Sequence, residues 1–329
     1  MSKAVPQSIS EEYYQISQAV LSSFPKYRLP LDLFVLDEPS GRLSEYYRKD
    51  NRLSNERTEE VQRLCEEGNL FVSRADYAVY SQHIVKQLDL VLVDKNLKEG
   101  EVSELIVRAL GLKLAAFLDQ PVRLLFQPLL EDCMVFTEYL WQDKYRIKPF
   151  MRRLHQDEYS LVSHSVNTLL AGTWLFLHTK EEPSRKELDA LALGLLLHDV
   201  GMSKVPIFIL RKDHPLKQEE RDKIPPHVLA GMQIVQKMEV TAGEAQAACL
   251  EHHERLNGSG YPQHLSGQRL SVVGSLAAVA DSFSAMIQKR VYAEAKPPIQ
   301  AAEELMKDTA RYDPRFAAAL YTALFTNSF

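Results

Sequence analysis

Cysteine is scarce: the 329 residues contain three, Cys65, Cys133 and Cys249, widely separated and without a CxxC pair. That spacing excludes a disulfide framework and argues against a cysteine-held zinc. No apolar run reaches the roughly 18 residues needed to cross a bilayer. The opening residues, MSKAVPQSISEEYYQ, lack the apolar stretch of a secretory leader. The expectation is therefore a cytoplasmic chain with no membrane span. No glycine-rich phosphate loop, internal repeat or low-complexity tract is present. A formal net charge of −5 argues against a DNA-coating protein, although a local basic pocket is compatible with it.

What is present is ordinary for a folded soluble protein, with 45% hydrophobic and 25% charged residues. The length suggests about two domains. In the first half, the spacing predicts a helix over Ile9 to Phe24 and a strand over Leu29 to Asp37, with GRLSEYYRK returning as a hairpin. A helix from Ser54 to Leu64, a short strand in NLFVSR and a helix over Ala75 to Leu90 follow. This reads as a small α/β (α+β) input or regulatory module, residues 1–120. Two or three helices between Glu99 and Tyr145 lead onward, and residues 121–150 read as a helical connector that suits a homodimer contact or ordinary packing. From Asp157 the chain looks all-helical, so residues 151–329 are expected to form a helical bundle.

The bundle is organised around LALGLLLHDVGMSKVP, Leu191 to Pro206. An apolar helical run delivers His198 and Asp199 and then breaks at Gly201. Imidazole and carboxylate are both ligands for divalent metals, and at a buried helix end they need a partner to offset desolvation. His164, His227, the pair His252 and His253, and Asp281 lie near turns or helix ends in the same half. Asp281, in AVADSFSAM, sits among small and apolar residues where an unpaired carboxylate is costly. His252 and His253 are adjacent and point about 100° apart on a helix, which suits two metals better than one. Five histidines and two aspartates thus suit a two-metal site in a bundle core.

The order HSVN, LLLHDVGMSKVP, PHVLAG, HHERLNGSGYP and AVADSFSAM resembles the HD-GYP family, a branch of the HD-domain metal-dependent phosphohydrolases. The resemblance covers roughly Asp157 to Tyr292 and leaves the first half uncovered. It implies an HD-type helical bundle and a phosphodiesterase acting on cyclic di-GMP, yielding pGpG and in some cases GMP through a metal-bridging hydroxide. It implies iron or manganese, with zinc as an alternative. By resemblance, Asp199 bridges two divalent metal ions and is the catalytic residue. His164, His198 and Asp281 hold one ion, and His227, His252 and His253 hold the other. Gly260, Tyr261 and Pro262 form a loop that, if exposed, suits docking of a GGDEF-type synthase.

The sequence departs from the family in its cations. Met202 stands where the family has Lys, and Lys204 is the nearest replacement. Ser284 stands where an acidic residue is usual, and Ala293 and Glu294 replace a basic pair. Arg290 remains as the candidate phosphate contact. Ser160 offers no carboxylate for a third metal, so two metals are expected. Two readings stay open. One is an active cyclic di-GMP phosphodiesterase, favoured by the full ligand set. The other is a catalytically weak or inactive relative that acts by binding partner proteins.

Overall fold

The computed structural model describes residues 12–37, 42–94, 97–206, 209, 212, 217–290 and 293–329. Two compact units, 1–109 and 110–329, divide within the helix Glu99–Asp119.

The first unit carries an antiparallel four-stranded sheet in the order β1-β4-β2-β3. Its strands are β1 (Tyr13–Gln15), β2 (Leu33–Asp37), β3 (Arg42–Tyr47) and β4 (Leu70–Ser73). Leu70, Phe71 and Val72 are almost fully buried and form its centre. Helices α1 (Gln18–Ser23), α2 (Asn55–Glu66) and α3 (Tyr77–Lys86) complete it, and α4 (Glu99–Asp119) begins in it. The hairpin, α2 and the NLFVSR strand lie where the sequence places them.

The expected single helix over Ile9 to Phe24 is a correction. Residues 9–11 lie outside the described residues, as do Pro39 and Gly41 of the hairpin turn. Over the rest, Tyr13–Gln15 pairs with Phe71–Ser73 as a strand, and Ser17 then caps the short α1 by accepting a bond from Val20 N. A bulky Tyr-Tyr pair suits a pleated surface, and its partner strand lies more than 50 residues away. Periodicity within a window cannot register such a pairing.

The second unit is helical. It holds α5 (Arg123–Gln142), α6 (Lys148–Met151), α7 (Leu161–Thr179), α8 (Arg185–Leu197), α9 (Gln218–Arg221) and α10 (His227–Lys237). It continues with α11 (Gly243–Glu251), α12 (Val272–Met286), α13 (Pro298–Lys307) and α14 (Pro314–Phe325). Among the described residues its extended pairings are isolated bridges, and no helix is long and apolar enough to cross a membrane.

Helix starts follow their side chains. Ser160 and Ser184 each begin a capping box, at α7 and α8, satisfying amide donors that a helix start leaves open. Helix α8 is apolar almost all round, with Leu188 and Leu191 to Leu197 buried. A helix of that kind belongs in the centre of a bundle. It packs so tightly on α11 that a Cβ at Gly194 would lie 2.6 Å from the Ala245 Cα and 2.7 Å from its carbonyl oxygen. Gly194→Ala therefore has to push the helix pair apart. We expect it to lower stability by about 1–3 kcal/mol in chemical denaturation, whereas an unchanged midpoint would show that the pair separates freely.

Candidate metal centre

Five local structures deliver the chemistry, four of them at helix ends. His164 lies in the first turn of α7. His198 closes α8, and Asp199 follows it into a 3₁₀ turn, Val200–Lys204. His227 opens α10. His252 closes α11, and His253 is next in the chain. Asp281 sits inside the buried α12. Gly201 fixes one of the approaches. A Cβ there would lie 1.9 Å from the His227 carbonyl oxygen and 2.5 Å from Gly231 N. The Asp199 turn thus rests directly on the backbone that presents His227.

The seven side chains converge as two groups. Asp199, His227, His252 and His253 form one, and His164, His198 and Asp281 the other. In each group, one ligand atom per residue lies within 4.8 Å of the rest. Asp199 faces both. Its Oδ1 lies 3.1 Å from His227 Nε2 and 3.7 Å from His252 Nε2. Its Oδ2 lies 3.5 Å from His164 Nε2 and 3.6 Å from His198 Nε2. Asp281 repeats the motif, with Oδ1 3.0 Å from His164 Nε2 and Oδ2 3.6 Å from His253 Nδ1.

Hydrogen bonds behind the rings set their tautomers. His198, His227 and His252 each donate Nδ1–H to a backbone carbonyl three residues earlier, Leu195, Ile224 and Cys249, at 2.7, 2.7 and 2.9 Å. A carbonyl can only accept, so each neutral ring turns an Nε2 lone pair toward the cluster, the arrangement of metal-bound histidine. The Nε2 lone pairs of His227 and His252 then face one another 3.4 Å apart, and that of His198 lies 3.3 Å from His164 Nε2. Asp199 Oδ1 is buried and receives no hydrogen bond. Acceptors packed this closely need a proton or a cation between them. Two ligands at about 2.0–2.1 Å around one tetrahedral ion are themselves about 3.3 Å apart, so the donor set fits metal ions.

Without metal, protons take that role. Burial pushes the Asp199 carboxyl up, but His198, His227 and His252 together hold it well below its usual value. Asp281 is likewise held low, against burial, by His253, His164 and His198. Burial disfavours charge on His198, yet Asp199 and Asp281 push it up to about 9, and Asp199 raises His227 in the same way. His252 is driven down by burial and by the charge on His198. Burial and His252 drive His253 further down. Two carboxylates thus favour the charged form of His198 and, in direction, of His227.

The centre opens into a cavity of about 720 Å³. Met202, Ile209 and Ile224 give it an apolar wall. Lys212, Lys289, Arg290 and Arg255 supply cations, and Tyr159, Tyr261 and Tyr312 supply rings. Of the two expected substrate contacts, Arg290 lines this cavity. Lys204 is exposed and is not among its lining residues. Tyr261 turns inward, its ring 4.7 Å from that of His253, and burial together with Asp281 and Asp199 pushes its pKa up, so it stays a neutral phenol. Gly260 is buried and Pro262 half-buried. Tyr292, the expected end of the matched stretch, lies outside the described residues.

Tyr159, Arg255, Lys289, Lys212 and Tyr312 were not among the expected site residues. Tyr159 had a readable signal, because it immediately precedes the capping Ser160 of the helix that carries His164. Glu254, the third residue of HHERLNGSGYP, is fully buried and accepts backbone bonds from Gln263 N at 2.6 Å and Leu265 N at 3.0 Å. It holds the Gly-Tyr-Pro loop against the centre.

A family model described as an HD domain matches residues 149–316. Among curated proteins, the chain is similar to a cyclic di-GMP phosphodiesterase of Thermotoga maritima, 33% identical over 150 residues, which are 44% of this chain and 41% of that one. It is similar to the cyclic di-GMP phosphodiesterase response regulator RpfG of Xanthomonas campestris pv. campestris, 33% identical over 141 residues, covering 42% and 37%. It is also similar to the 3'3'-cGAMP-specific phosphodiesterase 2 of Vibrio cholerae, 32% identical over 139 residues, covering 42% and 27%. The chain thus spans less than half the length of these relatives. Among solved structures it resembles Bd1817, a HDG"Y"P protein from Bdellovibrio bacteriovorus, with a TM-score of 0.59 and 16% identity over 95% of this chain and 99% of that one. At that identity the likeness is one of fold.

Glu254→Gln keeps an acceptor for one of the two N–H donors that now share the carboxylate and turns an NH₂ against the other. We expect a loss of about 1–3 kcal/mol and faster proteolysis within residues 257–266, with bound metal unchanged. Wild-type protease resistance would show that the loop is held by other contacts.

Proposed function

The chain belongs to the HD domain family and, through its His-Asp and Gly-Tyr-Pro motifs, to the HD-GYP branch, and on that premise we propose that it is a metal-dependent phosphodiesterase that hydrolyses cyclic di-GMP, with pGpG as the first product and GMP as a second if the linear dinucleotide is accepted. The observation that carries this reading is Asp199, a buried carboxylate whose two oxygens face two separate clusters of imidazole lone pairs. The names of two of the similar proteins support it, and the third, a 3'3'-cGAMP-specific phosphodiesterase, supports the wider class of cyclic dinucleotide substrate.

In this reading His164, His198 and Asp281 would hold one divalent cation and His227, His252 and His253 a second, with Asp199 available to both. Imidazole-rich ligation with some carboxylate suits iron, manganese or zinc better than magnesium or calcium. Such a pair supplies Lewis acidity, activating water and neutralising phosphate oxygens. The chain's own residues do the rest. The Nδ1–H bonds of His198, His227 and His252 hold each ring at a fixed angle. Arg290 has no carboxylate partner among the described residues, and its Nε is buried without a hydrogen bond. It is therefore poised to take phosphate oxygens. Tyr261, tilted against His253, keeps bulk water from that side of the centre. Met202 adds no charge where it lines the cavity, so the phosphate is held by fewer cations and binding is weak. Residues 1–120 act as the input module, 121–150 as the connector and 151–329 as the hydrolase.

Protein loaded with Mn(II) or Fe(II) should convert cyclic di-GMP to pGpG in a chromatographic product analysis, and metal-loaded protein without turnover would contradict the activity. Asp199→Ala should lose bound metal and all hydrolysis, while Tyr261→Ala should keep its metal; unchanged metal content in the first variant would remove the bridging role. The proton on His198 also sets a pH dependence. A protonated imidazole cannot ligate, so below pH about 9 metal must displace the His198 proton. Each displaced proton weakens apparent affinity about tenfold per pH unit of acidification. Calorimetry in buffers of different ionisation enthalpy should show proton release on loading at pH 7, shrinking as pH rises through 9. No release at pH 7 would mean that the metal-free centre is already deprotonated.

A further inference from the structure

Tyr159 stands just outside α7, and Arg290 follows α12 by four residues. The chain brings them together with backbone pairing: Tyr159 N donates to Lys289 O at 2.8 Å, Lys289 N donates to Asp157 O at 3.1 Å, and Glu158 bridges Lys289 in parallel. Across this brace the Arg290 guanidinium lies over the Tyr159 ring, 4.3 Å from its centroid. The same ring tilts against His164, with centroids 5.5 Å apart. Both residues line the cavity. One aromatic ring therefore touches both a side chain of the metal centre and a guanidinium that has no ion-pair partner among the described residues.

We infer that Tyr159 is a positioning residue for substrate: its ring face holds the Arg290 guanidinium at a fixed distance from the His164 side of the centre, so that a phosphodiester seated at the centre meets a preset bidentate donor. The inference rests on the phosphodiesterase reading for its ligand class. Its physical basis is the ring quadrupole, which attracts a cation over its face, and the cost of ordering a long side chain, which is met before substrate arrives. An arginine without such a shelf loses rotamer freedom on binding; this one has little left to lose. The effect belongs in ligand affinity, because the shelf bears on a contact to the bound phosphate and leaves the ligands of the centre in place.

The test uses the full-length, metal-loaded protein and reads equilibrium binding of cyclic di-GMP together with metal content and, where turnover is present, KM and kcat. Tyr159→Phe should bind as the parent does, since the face is kept. Tyr159→Leu should weaken binding about three- to tenfold, with metal content unchanged and any change confined to KM. Combining Tyr159→Leu with Arg290→Gln should add little to Arg290→Gln alone, as expected when one residue acts through another. Parent-like affinity for Tyr159→Leu, or additive losses in the double variant, would overturn the positioning role while leaving the phosphodiesterase reading intact. Parent-like affinity for Arg290→Gln would remove the phosphate contact and the inference with it. A parent protein that binds no cyclic dinucleotide would overturn both.

Discussion

Burying a carboxylate without a partner costs more than the marginal stability of a domain allows, and the second unit buries two within reach of the same histidines. Asp199 and Asp281 are each less than one-tenth exposed, and five imidazoles surround them. Everything else in the unit serves that balance of charge. The apolar α8 carries His198 and Asp199 into the interior. The glycine contacts at 194 and 201 let α11 and α10 approach closely enough to bring His252 and His227 opposite them. Carbonyls near the ends of α8 and α11 and in the turn before α10 then fix which nitrogen of each ring is free.

The arrangement explains why the ligands cluster at helix ends. The last carbonyls of a helix have no partner within it. A histidine placed there can donate one ring nitrogen to such a carbonyl and aim the other outward. His198 and His252 do this at the ends of α8 and α11. His227 does the same from the start of α10, to the carbonyl of Ile224 in the preceding turn. Backbone geometry and ligand orientation are thus settled by the same hydrogen bond, and the centre is assembled before any ion arrives. Preorganisation of this kind favours binding because little remains to be ordered.

The sequence was most legible where chemistry and local structure coincide. Buried His and Asp at helix ends stand out against an apolar background, and the helices of the second half follow from periodicity, capping serines and glycine breaks. The strand Tyr13–Gln15 was not legible, because its pairing with Leu70–Ser73 is non-local and only three residues long. The cavity's other cations and rings were missed for a related reason. Tyr159, Arg255, Lys289 and Tyr312 come from segments outside the helical pattern; Tyr159 pairs with Lys289 through the backbone and Arg255 lies over the Tyr312 ring, contacts that no spacing encodes. Lys204 shows the converse error of argument by proximity. It lies close to Met202 in sequence but points to solvent, while Lys212, ten residues beyond Met202, reaches the cavity.

The account stands or falls on Asp199 lying between two cations. Crystals of the protein grown with Mn(II) and measured near the manganese absorption edge give the most direct view. Two anomalous peaks flanking the Asp199 carboxylate, one among His164, His198 and Asp281 and one among His227, His252 and His253, are the predicted result. A single peak, or peaks away from that carboxylate, would contradict it.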